Sequence, residues 1–303
     1  MFPMAVIGLT RKSTAVIRVP QSRLSAVRLL RSASGYSPVA ASWKSNCDFL
    51  TASQKPLVAV GNLPKSQRIG SSLMKTNYEG HDTAYQRYQQ QPGRVGWDDA
   101  EQLAASIASL DKVIQWPTFP KKGQLLELGC GAGNICFELA KYGFEVHGID
   151  IAPTAIDWAM KNALLAGAIG TFSVGNVLDL KNFSDNSFDI VLDGHCLHCI
   201  IGSDRQQFFS SALRVLRPGG TLFVRTMCNE VPKGLMERGY FDSQTRCTMS
   251  ADGYATRYIG WSNDIISEVI DAGFDVVQLM IAPANLNVAE DFDELLLVAK
   301  RPP

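Results

Sequence analysis

No part of the 303-residue chain approaches the roughly 20 consecutive apolar residues that a membrane helix requires. The apolar segment Ala5-Val6-Ile7-Gly8-Leu9 is too short for the core of a secretory signal. Acid is missing from the start: residues 1–47 contain no Asp or Glu, and residues 1–78 set eleven Lys and Arg against Asp48 alone. The formal net charge of zero therefore hides a remainder with 18 basic and 28 acidic residues, a balance of minus ten. No basic patch in that remainder points to nucleic acid. Histidine is scarce, at four, and the seven cysteines are odd in number and lack zinc-finger spacing. Without an export signal, disulfides are not expected. The cysteines read as reduced packing residues or site thiols, Cys130 and Cys136 as small core residues.

What is present divides the chain in two. Residues 1–47 are rich in Arg and Ser and resemble a mitochondrial or plastid transit peptide in composition, which would place the protein in that organelle. As a helix, residues 23–33 would set Arg28 and Arg31 on the side of Leu24, so the segment is poorly amphipathic. The alternatives are an unstructured extension or a true start at Met74, with a cytoplasmic protein. Residues 48–73 read as linker. Residues 74–303 are the expected folded domain: N-terminal cap helices at 74–123, a core at 124–228, an insertion at 229–260, and a C-terminal helix and strand pair at 261–303.

Within that domain, hydrophobic periodicity alternates between two and 3.6 residues. Residues 97–111 carry Leu103, Ile107 and Leu110 at helical spacing behind Asp98 and Asp99. Strands are expected at 124–128, 145–149, 171–174, 188–192 and 221–226, and helices at 154–165 and 206–216. This alternation predicts a doubly wound α/β fold with a mostly parallel, Rossmann-like sheet, whose ligand lies at the carboxyl ends of the strands. Residues 229–259 exceed an ordinary connection, and Ala251-Asp252-Gly253 marks a β-hairpin turn inside them, an insertion after strand 5. A helix at 262–272 and strands at 274–281 and 294–299 close the chain.

The richest segment is Leu125-Leu126-Glu127-Leu128-Gly129-Cys130-Gly131-Ala132-Gly133-Asn134, followed by Val146-His147-Gly148-Ile149-Asp150. An apolar strand ends in an acid and runs into alternating glycines, which tolerate positive φ and bare the backbone to a ligand. A dinucleotide fingerprint would place Gly or Ala at the sixth position, where Asn134 stands, and has no use for Glu127. The segment resembles motif I and the ribose acid of class I S-adenosylmethionine-dependent methyltransferases. Pro218-Gly219-Gly220 and the closing strand pair are similar to that family too, over residues 124–300. The resemblance implies seven strands with an antiparallel C-terminal one, S-adenosylmethionine as cofactor, and methyl transfer. Glu127, Gly129, Gly131 and Gly133 would serve the methionine end, Asp150 the ribose, and Ile151, Asn176 and Val177 the adenine. Asp193 would contact the methionine portion.

The fourth strand leads into Asp193-Gly194-His195-Cys196-Leu197-His198-Cys199. His195 and His198 are candidate general bases. Four ligands within five residues cannot readily surround one zinc ion, so no metal is expected. Tyr78, His81, Tyr85, Tyr88 and Trp97 are candidates to close over the cofactor, and Tyr78, Tyr85, Arg257 and Tyr258 to meet a substrate; Arg257 would suit a carboxylate or phosphate. The expected partner is a small-molecule acceptor, with neither nucleic acid nor membrane. A protein side chain as acceptor, a non-catalytic cofactor-binding protein and a dehydrogenase remain as alternatives.

Overall fold

In the computed structural model, the structure describes residues 15–17, 74–285 and 291–303, all in one structural unit. The expectations for the extension and linker at 1–73 lie outside the described residues, apart from residues 15–17. These form strand β1 (Ala15–Ile17), antiparallel at one edge of the main sheet. The sheet thus holds eight strands among the described residues, the seven expected and this short addition.

Its order is β1-β4-β3-β2-β5-β6-β11-β10. The parallel core consists of β2 (Gln124–Leu128), β3 (Glu145–Asp150), β4 (Gly170–Val174), β5 (Phe188–Asp193) and β6 (Leu216–Cys228). The closing strands are β10 (Asp275–Ala282) and β11 (Asp293–Lys300), and β11 runs antiparallel between β6 and β10. Leu295, Leu296, Leu297 and Val298 are nearly all inaccessible, so β11 is buried on both faces, as a central strand should be.

Helices cover both faces. Helix α2 (Ala100–Ile114), α3 (Asn134–Lys141) and α4 (Pro153–Ala166) flank one core layer, centred on Phe119, Phe137, Phe172 and Phe223. Helix α5 (Asp204–Val215) and α7 (Ser262–Asp271) flank the other, around Phe208, Phe209, Phe188 and Phe274. Helix α1 (Gly80–Tyr88) precedes them, tied to the core through Tyr85 and Trp97.

The insertion is a three-stranded antiparallel sheet rather than a lone hairpin. A short α6 (Lys233–Glu237) leads into β7 (Phe241–Asp242), which pairs with β8 (Cys247–Met249), and β8 with β9 (Ala255–Tyr258). Strand β9 packs on the 3-10 turn Leu197–Cys199 that follows β5. The insertion therefore walls the carboxyl end of the sheet.

Candidate active site

The reversal of strand order falls between β2 and β5, and there the backbone opens a cavity. After β2 the chain is pinned to β3, because Gly129 N and Cys130 N both donate to the Ile149 carbonyl, at 2.8 and 3.0 Å. Gly129 holds φ +68, and a Cβ there would lie 2.5 Å from the Cys196 Cβ. Gly131 holds φ +53, and the Tyr85 hydroxyl occupies the place of its missing Cβ. Gly129 lines the cavity, whereas Gly131 and Gly133 do not. Their bareness serves packing against Tyr85, Phe137 and Phe172.

The cavity, of about 440 Å³, is lined by Asp150, Ile151, Asn176 and Val177, at and just beyond the ends of β3 and β4. Asp150 is buried, and its oxygens accept from Gly131 N and Ala152 N, both at 2.9 Å. Burial raises its carboxyl above the ordinary range, while those two amides oppose the rise. Asn176 reaches the cavity, but its Oδ1 accepts from Leu178 N at 2.9 Å in a local turn. The adenine contact expected of that oxygen must share it with the turn.

Glu127 lies beneath the cavity wall and is 2% exposed, with Oε2 unpartnered. Burial, reinforced by the Asp150 and Asp193 carboxylates, pushes its carboxyl up to about 8, against the lowering contacts of Cys136. Asp193 is also outside this cavity. Its Oδ1 accepts from Cys196 N and Leu197 N at 2.8 and 3.0 Å, shaping the turn that presents His195, and its Oδ2 is unpartnered.

His195, Cys196, His198, Cys199 and Arg257 line the same cavity. His195 holds φ +68, uncommon for a residue with a Cβ. Its Nε2 lies 3.1 Å from Glu294 Oε1, an ion-pair approach outside hydrogen-bond alignment. Glu294 is gripped by Arg225, Nε to Oε2 at 2.9 Å and Nη2 to Oε1 at 3.0 Å. Burial would raise the Glu294 carboxyl, but His195 and Arg225 outweigh it and hold it at about 2. His198 packs edge-on against His195, ring centroids 4.6 Å apart, and is buried with Nδ1 unpartnered. Burial, then the charges of His195 and Arg257, pull its imidazole well below the ordinary value. Burial also raises the thiols of Cys196 and Cys199, the latter to about 11, so both are protonated near neutral pH. No group of three His, Cys, Asp or Glu side chains suited to a metal occurs among the described residues.

Tyr78 and Tyr85 both line the cavity. The Tyr78 hydroxyl donates to Asp204 Oδ2 at 2.8 Å and accepts from Ile201 N at 3.2 Å, which fixes the segment before α1 to the far wall. Trp97 collects His81, Tyr85 and Tyr88 around its ring at 5.2–5.7 Å, and His81 and Trp97 also reach the cavity. Tyr258 is turned away under the Arg205 guanidinium, 4.6 Å from the ring centroid, and does not line the cavity. Its place alternates with Arg257 along a strand, so one of the two faces inward. Unforeseen lining comes from Asp98, Gln102, Met227, Asp291, Phe292 and Glu294. Only Asp98 carried a local signal, as a polar residue just before a helix; Asp291 and Glu294 carried none.

Residues 126–224 match the methyltransferase domain family. Those residues form a methyltransferase domain, on the class I S-adenosylmethionine-dependent methyltransferase fold. Ajmaline N-methyltransferase of Rauvolfia serpentina is 30% identical over 40% of this chain and 43% of its own length. Norajmaline N-methyltransferase of the same plant is 28% identical over 44% and 47%. The chain thus spans about half the length of the curated relatives it matches. A solved S-adenosylmethionine-dependent methyltransferase from Methanosarcina mazei shares the fold, with a TM-score of 0.53, 22% identity, and coverage of 62% of this chain and 98% of that one. Glu127 Oε2 and Asp193 Oδ2, on the neighbouring strands β2 and β5, are buried without a hydrogen-bond partner.

Proposed function

We propose that the protein transfers the methyl group of S-adenosylmethionine to a small-molecule acceptor by in-line displacement. The observation that carries this reading is one cavity lined both by Asp150, Ile151, Asn176 and Val177 and by His195, His198 and Arg257. The two curated relatives, named for ajmaline and norajmaline, support a small acceptor.

When bound, the cofactor supplies an electrophilic methyl carbon, and the C–S bonding pair stays on sulfur as S-adenosylhomocysteine forms. Asp150 would hold the ribose, and Gly129 the methionine end. The enclosing walls hold the acceptor in line, which supplies most of the rate in a displacement of this kind. Where the accepting atom carries a proton, His195 is the group placed to take it. Ionised Glu294, 3.1 Å from Nε2, would offset the positive charge that the ring gains with that proton. His198 is buried and a poorer proton acceptor than an ordinary imidazole, so it serves as the packing surface for the His195 ring.

The full chain should bind S-adenosylhomocysteine in calorimetry and methylate a compound in a metabolite screen with labelled methyl donor. With that acceptor, His195→Ala should lower kcat by about 10²-fold or more while cofactor affinity holds. His198→Asn should cost less. Absence of cofactor binding would overturn the methyltransferase reading; full turnover in His195→Ala would remove the base.

A further inference from the structure

Arg257 is the side chain whose chemistry the cavity leaves unanswered. It projects from β9 and is the one Lys or Arg among the described lining residues. Neighbouring arginines are committed. Arg205 grips Glu268, with Nη2 to Oε2 at 2.6 Å; Arg225 grips Glu294; Arg246 donates to the Ile259 carbonyl at 2.6 Å and lies 3.9 Å over the Trp261 ring. Arg257 has no hydrogen-bond or ion-pair acceptor among the described residues.

Three of the four acids that share the cavity are engaged elsewhere. Asp150 takes two backbone amides, Glu294 takes Arg225, and Asp291 Oδ2 takes Asn285 N at 2.7 Å. Arg257 stands instead over the 3-10 turn of His198 and Cys199, and lines the same cavity as His195. A half-buried guanidinium offers five donors in a planar fork, which a carboxylate meets with two parallel, charge-assisted bonds.

We propose that Arg257 seats a carboxylate of the methyl acceptor, so that the acceptor is a small carboxylic acid presenting its nucleophilic atom toward His195. This rests on the methyltransferase reading above. The acids Asp98, Asp291 and Glu294 repel an anion elsewhere in the cavity, which orients the acceptor with its carboxylate on β9. Their number also favours a monoanion over the dianion of a phosphate ester.

The test uses the full chain saturated with S-adenosylhomocysteine and benzoate as probe, a carboxylate on a flat apolar body, with benzamide and phenyl phosphate as controls. Benzoate should bind, benzamide at least about tenfold more weakly, and phenyl phosphate no better than benzoate. Arg257→Gln should weaken benzoate by about tenfold or more and leave the S-adenosylhomocysteine Kd and the melting temperature unchanged; Arg257→Lys should fall between. No benzoate binding, equal binding of benzamide, tighter binding of phenyl phosphate, or benzoate binding untouched by Arg257→Gln would overturn the proposal. So would a parallel loss of S-adenosylhomocysteine affinity, because the seat would then belong to the cofactor's own carboxylate. Failure of the wild-type chain to bind S-adenosylhomocysteine strikes the methyltransferase reading instead, and is measured first.

Discussion

Glu127 shows how much a single buried acid can report. Its carboxyl sits at about 8 in the fold against 4.5 in an unfolded chain, so the folded state binds the proton more tightly. That contribution to stability is complete below pH 4.5 and is lost as pH rises through 8. The wild-type melting temperature, without cofactor, should fall between pH 5 and 8.5, corresponding to on the order of 4 kcal/mol. Glu127→Gln should flatten that decline, as a thermal scan against pH would show. Glu127 was legible in the sequence because the strand, the acid and the glycines are contiguous. The role of Gly131 was not: its bareness answers to Tyr85, from a helix more than forty positions earlier.

At the scale of elements, periodic segments were readable to within a few residues. Residues 97–111 became α2 (Ala100–Ile114), started by Asp99, whose Oδ1 accepts from Glu101 N and Gln102 N at 2.9 Å while Gln102 returns a bond to Asp99 N. Asp99→Ala should cost about 1 kcal/mol in urea unfolding, since two helix-end amides lose their acceptor. Polar α1 has no clean apolar face, and its order comes from the Trp97 cluster. Pro218-Gly219-Gly220 was expected to precede a strand, yet β6 runs through it from Leu216, with its pairing to β5 shifted at that point. Strand β7, two residues long, is too short for any pattern to reveal.

At the scale of the molecule, β11 delivers Glu294 to His195. Folding lowers this carboxyl from 4.5 to about 2, so its stabilisation is present above pH 4.5 and is lost as pH falls through 2. Wild type should lose roughly 3 kcal/mol from this source across that window. Glu294→Gln should be less stable at neutral pH and flat between pH 4.5 and 2, a comparison that acid titration followed by circular dichroism would make. Insertion of β11 between β6 and β10 sets the closing acids and the insertion sheet around one cavity.

The sequence by itself determined the alternating α/β order, the glycine turn after β2, Asp150 at the tip of β3 and the His/Cys run after β5, since each is written in neighbouring residues that share a period or a turn. Only the tertiary structure decided that His195 rather than His198 faces Glu294, that Arg257 rather than Tyr258 enters the cavity, and that Asp193 shapes a turn. Those outcomes depend on strand order, burial and the pairing of charges from distant segments, and no local pattern carries such long-range choices.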